Sequence, residues 1–332
     1  MCPSSTASGV ATSAASSAEV AIPCAVLTPL AAATWTACAT PMAESIIEVT
    51  IGVTPALCAA AIACMARSGP PSAWGLMTIA PTVPVAMARA AARVTHIGAV
   101  GPGGVWTVER LMEYGVDTRL IATLEDQATG HANICVDDAG ENQIVVFPGA
   151  NRAITEDMIG AALSDAAAGD ILVMQNETNG QAYAAEMAKR LGLHVVYAAA
   201  PFDADAVAEV LPFADMLVLN SVEAEQLSMA LKTELTDLGV ASIVVTLGGD
   251  GCRWLDVSAG SETHMPAIPV TPVDTTGAGD TFTGYLVAGL DRGMPMLQAL
   301  SLATQAGALM VMRKGTADVI PDLKDIEDAR LA

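Results

Sequence analysis

Asp274-Thr275-Thr276-Gly277-Ala278-Gly279-Asp280, running straight into Thr281-Phe282-Thr283-Gly284-Tyr285-Leu286, is the most informative stretch of this chain. Gly277, Ala278 and Gly279 let the backbone turn sharply and come close to a bound group. A helical pattern starts at once, so unpaired backbone N–H groups point out of a helix N-terminus, a natural site for a phosphate. Asp280 stands on the same turn. Amide donors for phosphate oxygens, beside a carboxylate able to take a proton from a hydroxyl, are the minimum equipment for phosphoryl transfer to a small alcohol. Gly-x-Gly-Asp alone would favour a plain helix start with an acid near its cap. The full heptad is far more specific.

Upstream, strand and helix patterns alternate from Val83 onward, which predicts an α/β fold with a doubly wound, mostly parallel sheet and helices on both faces. Expected sheet strands are 96–100, 171–175, 194–198, 216–219 and 242–247, several of them continuous apolar runs as in strands covered on both sides. Expected helices include 83–93, 107–114, 181–191 and 203–211. Ligands of such sheets bind beyond the carboxyl ends of the strands, so the polar residues that close each strand are candidates. Gln175-Asn176-Glu177 closes one, as the start of an ordinary loop or as a reach into the crevice. Asn220-Ser221-Val222-Glu223 closes another. It reads as a pair facing Mg²⁺ and phosphate, or as a helix N-cap with a first-turn acid. Thr246-Leu247-Gly248-Gly249-Asp250-Gly251 closes a third, where the glycines permit close approach to a ligand or a tight turn into the strand from Cys252. One segment breaks the alternation. Residues 131–136 and 143–147 are β-rich and read as an antiparallel hairpin joined by Asp137-Asp138-Ala139-Gly140-Glu141-Asn142. Gly149-Ala150-Asn151 follows, then a helix opening near Thr155.

The heptad resembles the C-terminal signature of the PfkB (ribokinase-like) carbohydrate kinases. The stretch from Thr129-Gly130-His131-Ala132 to Pro148-Gly149-Ala150-Asn151 is similar to the ribokinase-like members in particular. The resemblance covers residues 83–323 and implies a kinase domain over 83–325 with a small β lid. It implies transfer of a phosphoryl group from ATP to a sugar primary hydroxyl, first of all that of D-ribose, with fructose or a nucleoside as alternative acceptors. By the same resemblance Asp280 is the base and meets the substrate, and the amides of Gly277, Ala278 and Gly279 form the anion hole. Glu177 bonds a sugar hydroxyl. Asn220, Thr246, Gly248 and Gly251 meet the nucleotide, and Glu223 holds Mg²⁺ through water. Asp274, the Thr276 carbonyl and Gly315 bind a monovalent cation, usually K⁺, that braces the anion loop. There the chain departs from the pattern: where ribokinase-like members supply a hydroxyl two residues before the proline matching Pro321, this chain has Val319. Pairing of two copies through the lid is a further implication.

Fifteen basic residues against 36 acidic ones leave a net charge of −21, which argues against nucleic acid or an anionic membrane surface as partner. It leaves room for ATP, since a phosphate site is a local matter of N–H groups and Mg²⁺. No apolar run is long enough to read as a membrane span, and no basic n-region marks a secretory signal, so a cytoplasmic setting is expected. The seven cysteines show no paired C-x-x-C spacing, and Cys135 and Cys252 read as buried free thiols. The four histidines are dispersed and receive no role.

Residues 1–82 differ in character. They contain no Asp, Lys, Asn, Gln, His, Phe or Tyr, and their only charges are Glu19, Glu44, Glu48 and Arg67. Residues 45–54 are strand-like and 55–66 helix-like; little else is periodic. The resemblance would place an Asn-x-Asp strand and a Gly-Gly-Lys-x-x-Asn loop here, both gripping sugar hydroxyls, and neither occurs. The abrupt change and the resumption at Val83 are read as a shifted reading frame or a replaced N-terminus, with a divergent or Ala-rich leader as the alternative. Half of the sugar site, and part of the lid, would then be missing, and a nucleotide-binding protein without turnover is the third functional expectation.

Overall fold

The structure, a computed structural model, describes residues 73–78, 82–136 and 142–329. The strand and helix expected over 45–66 and the turn expected at 137–141 lie outside the described residues. Strand β1 (Ala73–Thr78) precedes helix α1 (Thr82–Arg89), then β2 (Thr95–Val100), α2 (Val105–Glu113) and β3 (Asp117–Thr123). The hairpin follows as β4 (His131–Val136) and β5 (Asn142–Phe147), then α3 (Glu156–Leu163). The regular alternation comes next: β6 (Ile171–Gln175), α4 (Gln181–Leu191), β7 (His194–Ala198), α5 (Ala204–Val210), β8 (Met216–Asn220), α6 (Ser221–Leu231) and β9 (Ser242–Thr246). Strands β10 (Cys252–Asp256) and β11 (Ser261–Met265) lead to α7 (Ala278–Asp291), α8 (Met296–Val311) and α9 (Leu323–Ala329).

The central sheet has the order β11-β10-β9-β8-β7-β6, parallel from β6 to β9 and antiparallel at β10 and β11. Its strands bury both faces, and successive side chains feed two separate cores. Val196, Ala198, Met216, Val218 and Val244 face a core built with α1, α7 and α8, including Phe282, Leu286, Leu300 and Met310. Val195, Tyr197, Leu217, Leu219, Ile243 and Val245 face the other, with Ala184, Ala188, Val207 and Leu227 from α4, α5 and α6. Alanines are frequent on the buried faces of α4 (Ala184, Ala185, Ala188) and α8 (Ala299, Ala303, Ala306).

Two expectations change. Strand 96–100 is assigned to the central sheet by its pattern, yet β2 pairs in parallel with β3, in a separate two-stranded sheet. The run Asp117–Thr123 carries Asp117, Thr118 and Arg119 at its start and is not apolar enough to announce a strand; its partner, not its composition, makes it one. The helix expected to reach 93 ends at Arg89, because Ala91 turns left-handed (φ 64) and the Ala92 N–H reaches back to the Met87 carbonyl. The hairpin is antiparallel as expected, and β1 adds a third strand to it, pairing antiparallel with β4. Thr155 caps α3 by accepting the Met158 N–H, with Glu156 and Asp157 in the first turn.

Candidate active site

Helix α7 begins without a side-chain cap. Gly277 is its N-cap residue at φ 74 and ψ 7, a left-handed conformation that costs an L side chain about 1–2 kcal/mol. A Cβ at Gly277 would meet only the Met310 and Thr82 methyls, at 3.4 and 3.5 Å, so backbone shape and not crowding demands the glycine. The Thr281 N–H closes the first turn on the Gly277 carbonyl at 2.9 Å. The Ala278 N–H is held by the Thr275 carbonyl at 3.2 Å, whereas the Gly277 and Gly279 N–H groups have no backbone partner among the described residues. A Cβ on Gly279 would point into open space. The turn therefore presents at least two free amides to the outside.

Asp280 lies in the same turn. Its Oδ1 accepts a hydrogen bond from Gln175 Nε2 at 3.1 Å, at the carboxyl end of β6, and the Thr82 side chain at the start of α1 also bonds the carboxylate. Burial raises the Asp280 pKa above the ordinary carboxylate value, against the pull of those two bonds. Glu177 is raised as well, first by burial and then by the Asp280 charge, with Arg152 opposing. Burial also raises Glu223; the bond from the Asn220 N–H opposes this, and Asp280 adds to it. The structure thus brings Glu177, Glu223 and Asp280 into one electrostatic neighbourhood from three distant parts of the sequence. Among the described residues no three His, Cys, Asp or Glu side chains stand close enough to cage a metal. Asp280 thus acts on each of the other two carboxylates through its charge.

The strand β6 loop is pinned on both sides. Asn176 is buried, accepts the Tyr197 hydroxyl and donates to the Pro201 carbonyl at 3.0 Å. Asn179 exchanges two bonds with the Ile154 backbone, at 2.7 and 3.1 Å. Glu177 sits between these anchors, half-buried.

Asn220 and Glu223 form a complete capping box on α6. Asn220 Oδ1 accepts the Glu223 N–H at 2.9 Å, and Glu223 Oε2 accepts the Asn220 N–H at 2.8 Å. The helix-cap reading is thus present in full, and it does not use Asn220 Nδ2 or Glu223 Oε1. Thr246 lies beside Asn220 in register across β8 and β9, its hydroxyl reaching the Leu219 carbonyl at 3.4 Å. Gly248 (φ 59) opens the following turn with free space at its α-carbon. Gly251 (φ 94) is different: a Cβ there would strike the Met265 carbonyl at 2.0 Å, so its close approach is to the chain itself, at the entrance to β10.

Asp274 and Gly315 come together across 41 residues. Asp274 Oδ1 accepts the Thr276 N–H at 2.9 Å and Oδ2 the Gly315 N–H at 3.2 Å. Burial works to raise the Asp274 pKa, but these bonds and the Lys314 charge outweigh it and hold the carboxyl below its usual value. Gln175 and Thr82 are the residues that sequence reasoning missed. A glutamine ending the apolar run Ile171–Met174 is a faint signal; nothing in the sequence marks Thr82. Cys252 is a buried free thiol, pushed up to about 11 by burial. The side chain of Cys135 lies outside the described residues.

Comparison with known proteins agrees with this geometry. A family model described as pfkB family carbohydrate kinase matches residues 80–323. The ribokinase of Haemophilus influenzae is 32% identical over 252 residues, covering 71% of this chain and 81% of the relative. A deoxyribokinase of Salmonella typhi is 27% identical over 234 residues, 67% of this chain and 76% of that one. The crystal structure of a ribokinase from Cryptococcus neoformans in complex with ADP matches with a TM-score of 0.66 at 27% identity, over 75% of this chain and 86% of that chain. The family model and these relatives each cover most of the chain, and the chain belongs to the pfkB family of carbohydrate kinases, on its ribokinase-like side.

Proposed function

We propose that this kinase transfers the γ-phosphoryl group of ATP to the primary hydroxyl of D-ribose, giving D-ribose 5-phosphate and ADP. The hydroxyl oxygen attacks the γ-phosphorus as the bond to the β,γ-bridging oxygen breaks, and Asp280 accepts the hydroxyl proton. The free Gly277 and Gly279 amides, with the Ala278 amide once released from Thr275, receive the charge on the transferring group. Gln175 and Thr82 orient the Asp280 carboxylate, and Glu177 positions the sugar. Asn220, Thr246 and the Gly248–Gly251 turn meet the nucleotide. Glu223 and Asn220 would hold Mg²⁺ through water, and the ion would supply charge neutralisation on the phosphates. A dimer paired through the lid agrees with β5 being an edge strand that carries Val146 52% exposed. A cytoplasmic setting agrees with the reduced Cys252. Among the described residues no helix is long and apolar enough to cross a membrane.

The observation that carries the reading is Asp280, bonded by Gln175 beside free amides at the start of α7. Asp280→Asn is expected to lower kcat by about 10²-fold or more while nucleotide binding persists. Wild-type turnover in that variant would remove Asp280 from the base role. D-ribose, 2-deoxyribose, fructose and nucleosides compared by ADP release should rank D-ribose first in kcat/KM. A second reading has its own observation: neither Asn-x-Asp nor Gly-Gly-Lys-x-x-Asn occurs in the chain, so half of the expected sugar contacts are absent. ATP binding without turnover on any acceptor would favour a nucleotide-binding protein.

A further inference from the structure

The two loops that would share a monovalent cation are fastened to each other directly. Asp274 precedes the anion loop, and both of its oxygens are engaged, one by the Thr276 amide and the other by the Gly315 amide. The Gly315 N–H therefore turns its positive end toward the carboxylate. On its other side Gly315 is closed by Val319: a Cβ built on the glycine would lie 3.2 Å from Val319 Cγ1. Val319 offers no side-chain oxygen, and its carbonyl accepts Arg313 Nη1 at 3.2 Å. The same guanidinium nitrogen reaches Asp325 Oδ2 at 3.0 Å. Lys314 stands near enough to act on the Asp274 carboxylate. A hard cation needs several converging oxygens. Here each oxygen of the one carboxylate already accepts an amide, the Val319 carbonyl already accepts a guanidinium, and the Lys314 charge acts on the carboxylate.

We propose that this kinase works without a monovalent cation, because the Asp274 carboxylate bonds the Gly315 amide of the segment after α8 directly and Val319, packed on Gly315, offers no side-chain oxygen there. The Asp274 carboxylate does the bracing itself, by pinning Thr276 at one end of the loop and Gly315 across from it. Only the kinetic arm of the test rests on the kinase reading; a second arm reads stability.

The full chain is melted in KCl and in choline chloride at equal ionic strength, and kcat is measured in both. Binding of K⁺ to the native state alone would raise Tm as K⁺ is added. The expected result is superimposable melting curves and a change in kcat of less than about twofold. Val319→Ser restores a side-chain oxygen and relieves the packing on Gly315, and is expected to acquire a K⁺-dependent rise in Tm. A K⁺-specific rise in the Tm or kcat of the wild-type chain would overturn the proposal. A Val319→Ser variant as silent to K⁺ as the wild type would overturn the part assigned to Val319. Absence of turnover in every salt would count against the kinase reading and leave the melting comparison in force.

Discussion

Helices α6 and α7 start at the same end of the molecule and treat their first turns in opposite ways. At α6 the side chains of Asn220 and Glu223 are each spent on the other's backbone amide. At α7 the N-cap is Gly277, which has no side chain to give, and no side-chain cap exists. Orphan amides must be satisfied by something. A protein that satisfies them internally obtains stability, whereas one that leaves them open offers them to an incoming anion. The contrast separates a helix start closed by its own side chains from one left open more sharply than composition does, since both contain an acidic residue in the first turn.

Several measurements would break or sharpen this contrast. After Asp280→Asn, the largest effect is expected at Gly279. Alanine there meets open space in the free protein, so Tm should stay unchanged or rise slightly, while the new methyl stands where the phosphate must come. A loss of kcat/KM of about tenfold or more with an intact melting curve is expected, and an unaffected kcat/KM would show that the turn is not the phosphate site. Gly277→Ala should behave the other way round. Its left-handed backbone makes the substitution cost about 1–2 kcal/mol of stability, read as a fall in denaturant midpoint, before any effect on nucleotide affinity. Next comes Gln175→Leu, whose bond helps to hold the Asp280 pKa down. Losing it raises that pKa further, so the acidic limb of kcat/KM should move to higher pH, and an unmoved limb would deny Gln175 its orienting part. The smallest effect on stability belongs to α6, where Asn220→Ala should cost about 1 kcal/mol as a lost cap, beside any loss of nucleotide affinity.

The half-buried carboxylates carry a pH signature with a definite sign. Asp280, Glu177 and Glu223 all have folded pKa values raised above their unfolded ones. The native state therefore binds their protons more tightly, and stability falls as pH rises from the ordinary carboxylate range through the raised values. Asp274 opposes this, its contribution being lost as pH falls through its depressed value. Asp280→Asn removes one of the repelling charges, so at neutral pH the ligand-free variant should melt above the wild type. Equal melting temperatures would mean that Asp280 does not repel Glu177 and Glu223 in solution.

Much of the architecture was legible in the chain. Strands β6 and β7, helix α4 and the lid strand β4 have the boundaries their patterns suggest, because continuous apolar runs flanked by polar residues have few other stable outcomes. Strand β3 was not legible, since its stability comes from pairing with β2. The heptad located Asp280 and the glycine turn, where a left-handed backbone and free amides are local properties of the sequence. The hydrogen bonds from Gln175 and Thr82, by contrast, span 105 and 198 residues, and no local pattern encodes a partner so remote.

By itself the sequence determined the alternation that makes a doubly wound sheet and the glycine-rich start of α7, because backbone conformation and hydrophobic period are set by neighbours along the chain. Only the tertiary structure decided that Gly251 packs against Met265 at the entrance to β10, that Gln175 and Thr82 bond Asp280, and that Asp274 reaches Gly315. Those outcomes depend on which groups meet across the fold, a matter of long-range packing that no run of neighbouring residues encodes.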